Sequence, residues 1–234
     1  MGRLPSLSEW EKKELAEFDE YLGECVQRGR DELPNYPIRE LNARQHDLLL
    51  RLMEAFRKRK CPADATLLVG GLAVDDYCSG RLLQYINMRD TTPRQYWPSI
   101  APELLRACED CLAHVGAEAF CYLLPAYLRL VLQRPRYFFS DSVFVYLGCR
   151  AEVLAPLSAA EREIVTDIVN EHRCEELFGD GICVDRGLLP WEREHLLATG
   201  HDLSDKEELF RCLENFALEY AEKSGFLEEN IIKK

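Results

Sequence analysis

Apolar residues recur at every third or fourth position along most of the chain, which is the spacing of helices that bury one face. The first such stretch follows Ser8 and Glu11, two residues with capping-box spacing, and contains Leu15 and Phe18. A proline such as Pro34 cannot lie inside a helix without disturbing it. These signals predict a first helix that begins at Ser8 and ends before Pro34.

Six further helices are predicted from the same spacing and from residues that favour helix starts. They cover 42–60, 101–116, 117–133, a stretch from Ser158, a short stretch from Pro190 to Leu197, and a last stretch from Ser204. The stretch 117–133 is the most apolar of them, so we expect it to be the central element. Pro125 falls inside this stretch and should bend or divide the helix.

Two short apolar segments, 67–74 and 142–147, fit either a strand or a buried helical turn. We predict a mainly α fold: a compact, helical bundle-like domain with at most a few short strands and with helical additions at both termini. The chain divides into an N-terminal helical segment 1–60, a helical core 61–172 and an acidic C-terminal helical segment 173–234. One compact domain is the alternative, because 234 residues fit within a single large domain.

Charge is distributed unevenly along the chain, whose formal net charge is −12. Residues 1–60 carry 12 Lys and Arg against 12 Asp and Glu, and residues 61–150 carry 8 against 9. Residues 151–234 carry 9 against 20, so nearly all of the net negative charge lies in the last third. This balance argues against a nucleic-acid partner. It fits either a solvated helical surface or an acidic face for a basic partner.

The ten cysteines do not indicate a secreted protein held by disulfides. The N-terminus has no apolar signal core, and several cysteines fall inside apolar helical patterns, where a thiol acts as a small hydrophobic group. No run of about 18 apolar residues is present to span a membrane. We therefore predict a cytoplasmic protein with reduced thiols and no membrane partner.

His172 and Cys174, followed by Cys183, form the most plausible metal-binding group in the sequence. His195 or His201 could supply a fourth ligand. The group lacks the Cys-x-x-Cys knuckle that is typical of structural zinc sites. We therefore expect no cofactor, and a zinc ion is the alternative.

A Cys- and His-dependent enzyme is a further alternative, with Cys174 or Cys183 as the nucleophile and His172 as its base. The adjacent carboxylates of Asp75 and Asp76 could instead transfer protons. Neither group has a local signature, because Gly-x-Ser-x-Gly and His-Glu-x-x-His are both absent. The sequence therefore favours a protein that is not an enzyme.

An arginine and aromatic cluster is the first group of predicted partner-binding residues. Arg129, Arg134 and Arg136 surround an aromatic run that begins at Tyr137, and Tyr122 shares a helix face with Arg129. Arginine and aromatic side chains are common hot spots of protein interfaces, although the aromatic run could equally anchor the loop that follows the helix. The second group consists of acidic residues on the last predicted helix: Glu208, Glu219 and Glu222.

Residues Tyr122 to Leu128 read Tyr-Leu-Leu-Pro-Ala-Tyr-Leu and follow Ala-Glu-Ala-Phe at 117–120. Upstream lie Phe56, then Cys-Pro-Ala-Asp at 61–64, Asp75-Asp76 and Trp97, and downstream lies Ala-Pro-Leu-Ser at 155–158. In order and content, this segment resembles an uncharacterised bacterial family whose function is unknown. The resemblance covers roughly residues 50–172, implies a helix in the middle of the domain, and assigns no reaction.

The combined signals favour a bacterial, intracellular protein that acts by binding another protein. We expect an inhibitor of the immunity or antitoxin type, whose acidic helical surface covers a basic toxin domain. A zinc-binding regulator and a Cys- and His-dependent enzyme are the alternatives.

Overall fold

In a computed structural model of the chain, the described residues are 6–75, 78, 80–135, 140–178 and 188–226. They form eleven α-helices and three short 3-10 helices and contain no strand. The α-helices are α1 (Glu9–Glu32), α2 (Ala43–Ala55), α3 (Leu68–Asp75), α4 (Gly80–Arg89), α5 (Pro102–Ala107), α6 (Ala117–Gln133), α7 (Ser140–Cys149), α8 (Ala151–Leu154), α9 (Ala159–Phe178), α10 (Pro190–Ala198) and α11 (Lys206–Ser224). The 3-10 helices are Leu33–Asn35, Trp97–Ser99 and Glu109–Ala113. The predicted mainly α fold is confirmed, and the two ambiguous apolar segments lie in α3 and α7.

Side-chain capping fixes the starts of α1 and α9, as their sequences predict. The backbone N–H of Glu11 donates to Ser8 Oγ at 3.3 Å, and the Glu11 carboxylate accepts from the Ser8 backbone N–H at 2.7 Å. Ser158 and Glu161 form the same two hydrogen bonds at 3.3 and 2.7 Å. Each box satisfies two backbone donors that a helix start leaves without a partner.

Two predicted helices end earlier than their sequence pattern suggested. α2 ends at Ala55, so the basic residues 57–60 follow the helix and do not form its last turn. The predicted helix 101–116 is divided into α5 and the 3-10 helix Glu109–Ala113, since Cys108 between them has a φ of −116°, outside the helical range. In the second place the apolar pattern continues where the α-helical backbone does not.

The chain forms two compact units. Unit 1 takes in 1–39 and 58–143, and unit 2 takes in 40–57 and 144–234. α2 therefore groups with the C-terminal helices, because it packs on α9 and not on its neighbours in sequence. The predicted division at residues 60 and 172 stays a prediction.

α6 is the most buried helix of unit 1, and Pro125 lies inside it without dividing it. Tyr127, on α6, is fully buried and its hydroxyl donates to the carbonyls of Leu105 at 3.3 Å and Cys108 at 3.0 Å. These hydrogen bonds hold the junction between α5 and the following 3-10 helix against α6. Neither α6 nor any other helix in the described ranges is long and apolar enough to cross a membrane.

Gly71 of α3 allows this helix to approach the 3-10 helix Glu109–Ala113 closely. A Cβ atom built on Gly71 would lie 2.8 Å from Cys111 Cβ and 3.1 Å from the Cys111 carbonyl oxygen. Real Cβ atoms essentially never approach another atom to 2.8 Å, so a larger residue would force the two elements apart. Packing between the two elements therefore explains the glycine at position 71. Helix propensity does not explain it, because glycine is unfavourable inside a helix.

Gly71→Ala is expected to destabilise the protein by about 1–3 kcal/mol, because the added methyl group overpacks a filled contact. Gly23→Ala is the matched control, since Gly23 lies inside α1 and an added Cβ atom would meet nothing within 4 Å. The control should stabilise the protein by roughly 0.5–1 kcal/mol through helix propensity. Urea unfolding followed by circular dichroism measures both. Equal effects of the two substitutions would contradict the close contact.

In unit 2, α9 packs against both α2 and α11. Two small apolar clusters accompany this packing, and both draw on α11. The first consists of Cys174, Ala217, Ala221 and Phe226. The second consists of Leu188, Leu196, Cys212 and Leu213. The apolar side of α11 is therefore used for packing within the unit, and its other side is exposed.

A buried ionic network joins α2, α9 and α11. Arg44 donates to Glu171 through Nε and Nη2, each at 2.6 Å, and only 1% of the Glu171 side chain is exposed. Gln45 Nε2 and the Tyr220 hydroxyl donate to the same carboxylate at 3.2 and 3.3 Å. The Arg44 guanidinium also lies 4.5 Å from the centre of the Phe226 ring. One carboxylate thus collects donors from two neighbouring helices, which is the arrangement that makes a buried charge tolerable.

A second buried ion pair joins α9 to α10. Arg173 donates to the two carboxylate oxygens of Glu192 at 2.8 and 2.9 Å, and the two side chains are 2% and 6% exposed. Arg173 also donates to Asn170 Oδ1 at 2.7 Å, and Glu192 accepts from the Leu189 backbone N–H at 2.9 Å. The start of α10 is therefore held on α9 by charge as well as by packing.

Candidate functional site

One side of α11 presents apolar and acidic side chains together. Phe210, Glu214 and Leu218 follow one another at intervals of four, so they form one row along the helix. Phe210 is 36% exposed and Leu218 is 40% exposed. Glu207 and Glu222 lie at the two ends of this exposed side. We call these five residues the α11 face.

The carboxylates of the α11 face are exposed to solvent, and one exposed arginine, Arg211, lies on the same side of the helix. Glu207, Glu214 and Glu222 are exposed, and within the described ranges none of them forms an ion pair. Two other acidic residues of α11 do have partners. Glu208 lies 2.8 Å from His201 Nδ1, and Glu219 lies 3.4 Å from Lys223 Nζ. Of the three predicted glutamates, Glu222 thus belongs to the α11 face, whereas Glu208 and Glu219 are paired within the unit.

The start of α11 differs by one residue from its prediction. Asp205 caps the helix by accepting from the backbone N–H groups of Glu207 at 2.9 Å and Glu208 at 3.3 Å. Ser204 does not cap the helix, because its hydroxyl donates to Asp202 Oδ1 at 2.6 Å. This local bonding sets the position of the first turn and therefore of the acidic end of the α11 face.

A histidine, a glutamate and a cysteine meet beside the first turn of α11, which sequence reasoning did not find. His201 Nδ1 lies 2.8 Å from Glu208 Oε1 and 3.8 Å from Cys212 Sγ. Both neighbours approach the same ring nitrogen, so the glutamate does not orient the histidine toward the thiol. Burial, followed by the nearby Glu208 charge, raises the pKa of Cys212. The thiol is therefore kept protonated, and the group serves to hold the turn before α11.

The predicted arginine and aromatic cluster is engaged in hydrogen bonds within unit 1. Arg129 donates to the carbonyls of Pro98 at 2.7 Å and Ile100 at 3.4 Å, and burial lowers its pKa. Arg134 donates to the Leu33 and Tyr36 carbonyls. The buried Tyr122 hydroxyl donates to the Pro93 carbonyl at 2.5 Å. Arg136 and Tyr137 lie outside the described residues. Tyr122, Arg129 and Arg134 thus bind loop carbonyls, and the sequence gives no sign of this because it does not reveal where an arginine points.

His172 and Cys174, two residues of the predicted metal site, lie on different sides of α9. The His172 ring stacks on Phe144 at a centroid distance of 4.7 Å, and its Nε2 lies 3.4 Å from Glu176. Cys174 Sγ donates to the Ala217 carbonyl at 3.1 Å, and Cys183 lies outside the described residues. Among the residues with a described placement, no three His, Cys, Asp or Glu side chains form a group that could hold a metal ion. The zinc site stays a prediction.

The structure also describes the surroundings of Cys174 and Asp75, two residues of the predicted catalytic alternatives. Cys174 is fully buried, and this burial raises its pKa to about 12, so it is a poor nucleophile at neutral pH. Asp75 Oδ1 lies 2.9 Å from His114 Nε2, and Asp76 lies outside the described residues. Asp75 and Cys174 are thus each engaged with a neighbouring group in their own unit.

Comparison with known proteins found a similarity for part of the chain. Neither the comparison with curated proteins nor that with solved structures gave a match. A protein-family model does match, and the matched residues contain the Tyr122 to Leu128 motif but neither α9 nor α11. The predicted resemblance to an uncharacterised family is confirmed, over a shorter stretch than 50–172. Residues 44–141 are similar to a family of unknown function, DUF6714.

Proposed function

We propose that this protein acts by binding another protein through the α11 face. The observation that carries the proposal is the exposure of Phe210 and Leu218 between carboxylates that have no cationic partner in the described ranges. Exposed apolar side chains rimmed by polar groups are typical of interaction sites. The unpaired carboxylates add a requirement on the partner, because they attract positive charge and repel negative charge.

The partner has a basic surface with a central apolar contact. Lysine or arginine side chains would meet Glu207, Glu214 and Glu222, and apolar side chains would cover Phe210 and Leu218. The net charge of −12 adds long-range attraction, which raises the rate of encounter with a basic protein. An inhibitor of the immunity or antitoxin type fits this chemistry, since a nuclease-like toxin has a basic surface that an acidic helix can cover. The proposal includes a cytoplasmic site of action in a bacterium.

Reversing the charge of the α11 face should remove partner binding. The variant is Glu207→Lys, Glu214→Lys and Glu222→Lys, and the expected loss is at least about tenfold in affinity, or ~1.4 kcal/mol. The tagged wild type and the variant are used to capture proteins from the native host at physiological salt. The captured proteins are quantified by mass spectrometry. A specific partner should be a basic protein that the wild type retains and the variant loses.

A second triple reversal controls for net charge. Glu17→Lys, Glu20→Lys and Glu24→Lys change three exposed carboxylates of α1, in unit 1, and alter the net charge by the same amount. This control should retain the partner as the wild type does. Loss of the partner with both triple variants would show a bulk charge effect, and equal retention by both would contradict a role for the α11 face.

A further inference from the structure

Unit 1 contains a cleft that the proposed function does not use. Its volume is about 660 Å³, which is within the range of small-molecule sites. The cleft lies between the loop at 63–65, α4 and the segment from Asp90 to Arg94. All of these elements fall within the residues that match the family model, whereas the α11 face does not.

The charge in the cleft is unbalanced. Asp64 is exposed and forms no ion pair in the described ranges. Asp90 Oδ1 accepts from the Thr92 backbone N–H at 2.8 Å and from the Thr92 hydroxyl at 2.6 Å, which holds the carboxylate in place. Asp90 Oδ2 is buried and has no hydrogen-bond partner. Two carboxylates therefore border one cleft.

Arg94 offsets only one of these two negative charges. Among the described lining residues it carries the only other charge, and its Nη1 donates to the carbonyls of Pro62 at 2.9 Å and Ala65 at 2.8 Å. These bonds hold the guanidinium on the loop that forms one wall. Two carboxylates against one guanidinium leave the lining with a net charge of −1.

Aliphatic groups line the wall formed by α4. Leu83 and Met88 border the cleft, and Met88 is 41% exposed although its thioether chain is apolar. A ligand with a short hydrocarbon stem would cover these side chains, while its charged end lay near the carboxylates. The cleft therefore joins a negative end to an apolar wall within one site.

Other ligand classes fit this lining less well. Phosphate groups would be repelled by Asp64 and Asp90, and a neutral ligand would leave the net negative charge of the lining unbalanced. A coordinated metal ion needs three or more suitable side chains, and the part of the chain that the structure describes contains no such group. We infer that the cleft binds an organic cation, an ammonium or guanidinium group on an aliphatic stem.

The same chemistry has two sources, a free amine or guanidine and a Lys or Arg side chain of a peptide. Four small probes test the chemistry: n-butylguanidinium, n-butylammonium, butyrate and n-butanol. The tripeptides Gly-Arg-Gly and Gly-Gln-Gly test the second source. Binding is followed on the full chain by isothermal titration calorimetry and by nuclear magnetic resonance shifts of α4. Tighter binding of n-butylguanidinium than of Gly-Arg-Gly indicates a free cation, and the reverse order indicates a peptide side chain.

The two cations are expected to bind saturably with Kd near ~1 mM, and butyrate and butanol are not. Asp64→Asn with Asp90→Asn should weaken the cations at least tenfold, because asparagine at 90 keeps the acceptor for Thr92 and removes only the charge. Asp64→Asn alone changes an exposed side chain and should weaken binding without affecting the fold. Glu24→Gln, on exposed α1, is the control and should leave binding unchanged.

Three results would overturn the assignment. They are the absence of saturable binding for both cations, equal binding of butanol, and cation binding that survives the double substitution. None of these results bears on the α11 face, which lies in unit 2.

Discussion

Glu171→Ala is expected to lower the free energy of unfolding by about 3–5 kcal/mol, the usual cost of removing one partner of a buried ion pair. The substitution removes the buried carboxylate that pairs with the Arg44 guanidinium, which is 8% exposed. It also removes an acceptor that Gln45 and Tyr220 share. Since these donors come from α2 and α11, loss of one carboxylate weakens three helices together. Denaturant unfolding followed by circular dichroism measures the effect.

Glu163→Ala is the matched control for Glu171→Ala. Glu163 also lies on α9 and also pairs with an arginine of α2, because its Oε1 lies 3.2 Å from Arg51 Nη2. Its side chain is 71% exposed, however, and an exposed pair of this kind contributes little. The control should change the free energy of unfolding by less than about 1 kcal/mol. If Glu171→Ala cost no more than this control, the buried network would not stabilise unit 2.

The second large effect concerns Arg173 and Glu192. Arg173→Met alone should cost about 3–5 kcal/mol, because it leaves the Glu192 carboxylate buried without its cation. The double variant with Glu192→Leu should recover most of this loss, since apolar side chains of similar volume are often tolerated in place of a buried pair. The loss that remains should reflect the hydrogen bond from Glu192 to the Leu189 backbone N–H.

A double-mutant cycle separates the pairing from the other contacts of these residues. The two single variants and the double variant should give a coupling energy between Arg173 and Glu192 of at least about 3 kcal/mol, because each single substitution leaves a buried charge unpaired and the double variant leaves none. The readout is again the free energy of unfolding, measured by denaturant titration. Additive effects of the two substitutions would contradict the buried bidentate pair.

The helix starts could be predicted from the sequence because capping is local. Ser8 with Glu11 and Ser158 with Glu161 form hydrogen bonds between residues three positions apart, so their spacing is sufficient. The helical state of α3 could not be decided in this way. Its Gly71 is explained only by Cys111, which lies far along the chain. The helical state of α3 thus depends on packing against residues far along the chain, and a local sequence pattern does not show such packing.

For the candidate site too, some features could be predicted from the sequence and others could not. The excess of acidic residues near the end of the chain is a property of composition, and it led to the prediction of partner-binding glutamates on the last helix. Which of its carboxylates is free to meet a partner depends on neighbours such as His201 and Lys223. The loop carbonyls that receive Arg129 are equally invisible in sequence. The cleft bordered by Asp90 was missed because its lining residues are individually unremarkable.

The most direct test of the account measures which surface the partner covers. Amide hydrogen exchange is compared for the free protein and for its complex with the captured partner. The account predicts slower exchange across α11, centred on the turns that carry Phe210 and Leu218, with little change in α1. Unchanged exchange in α11, together with protection confined to unit 1, would contradict the claim that the α11 face is the docking surface.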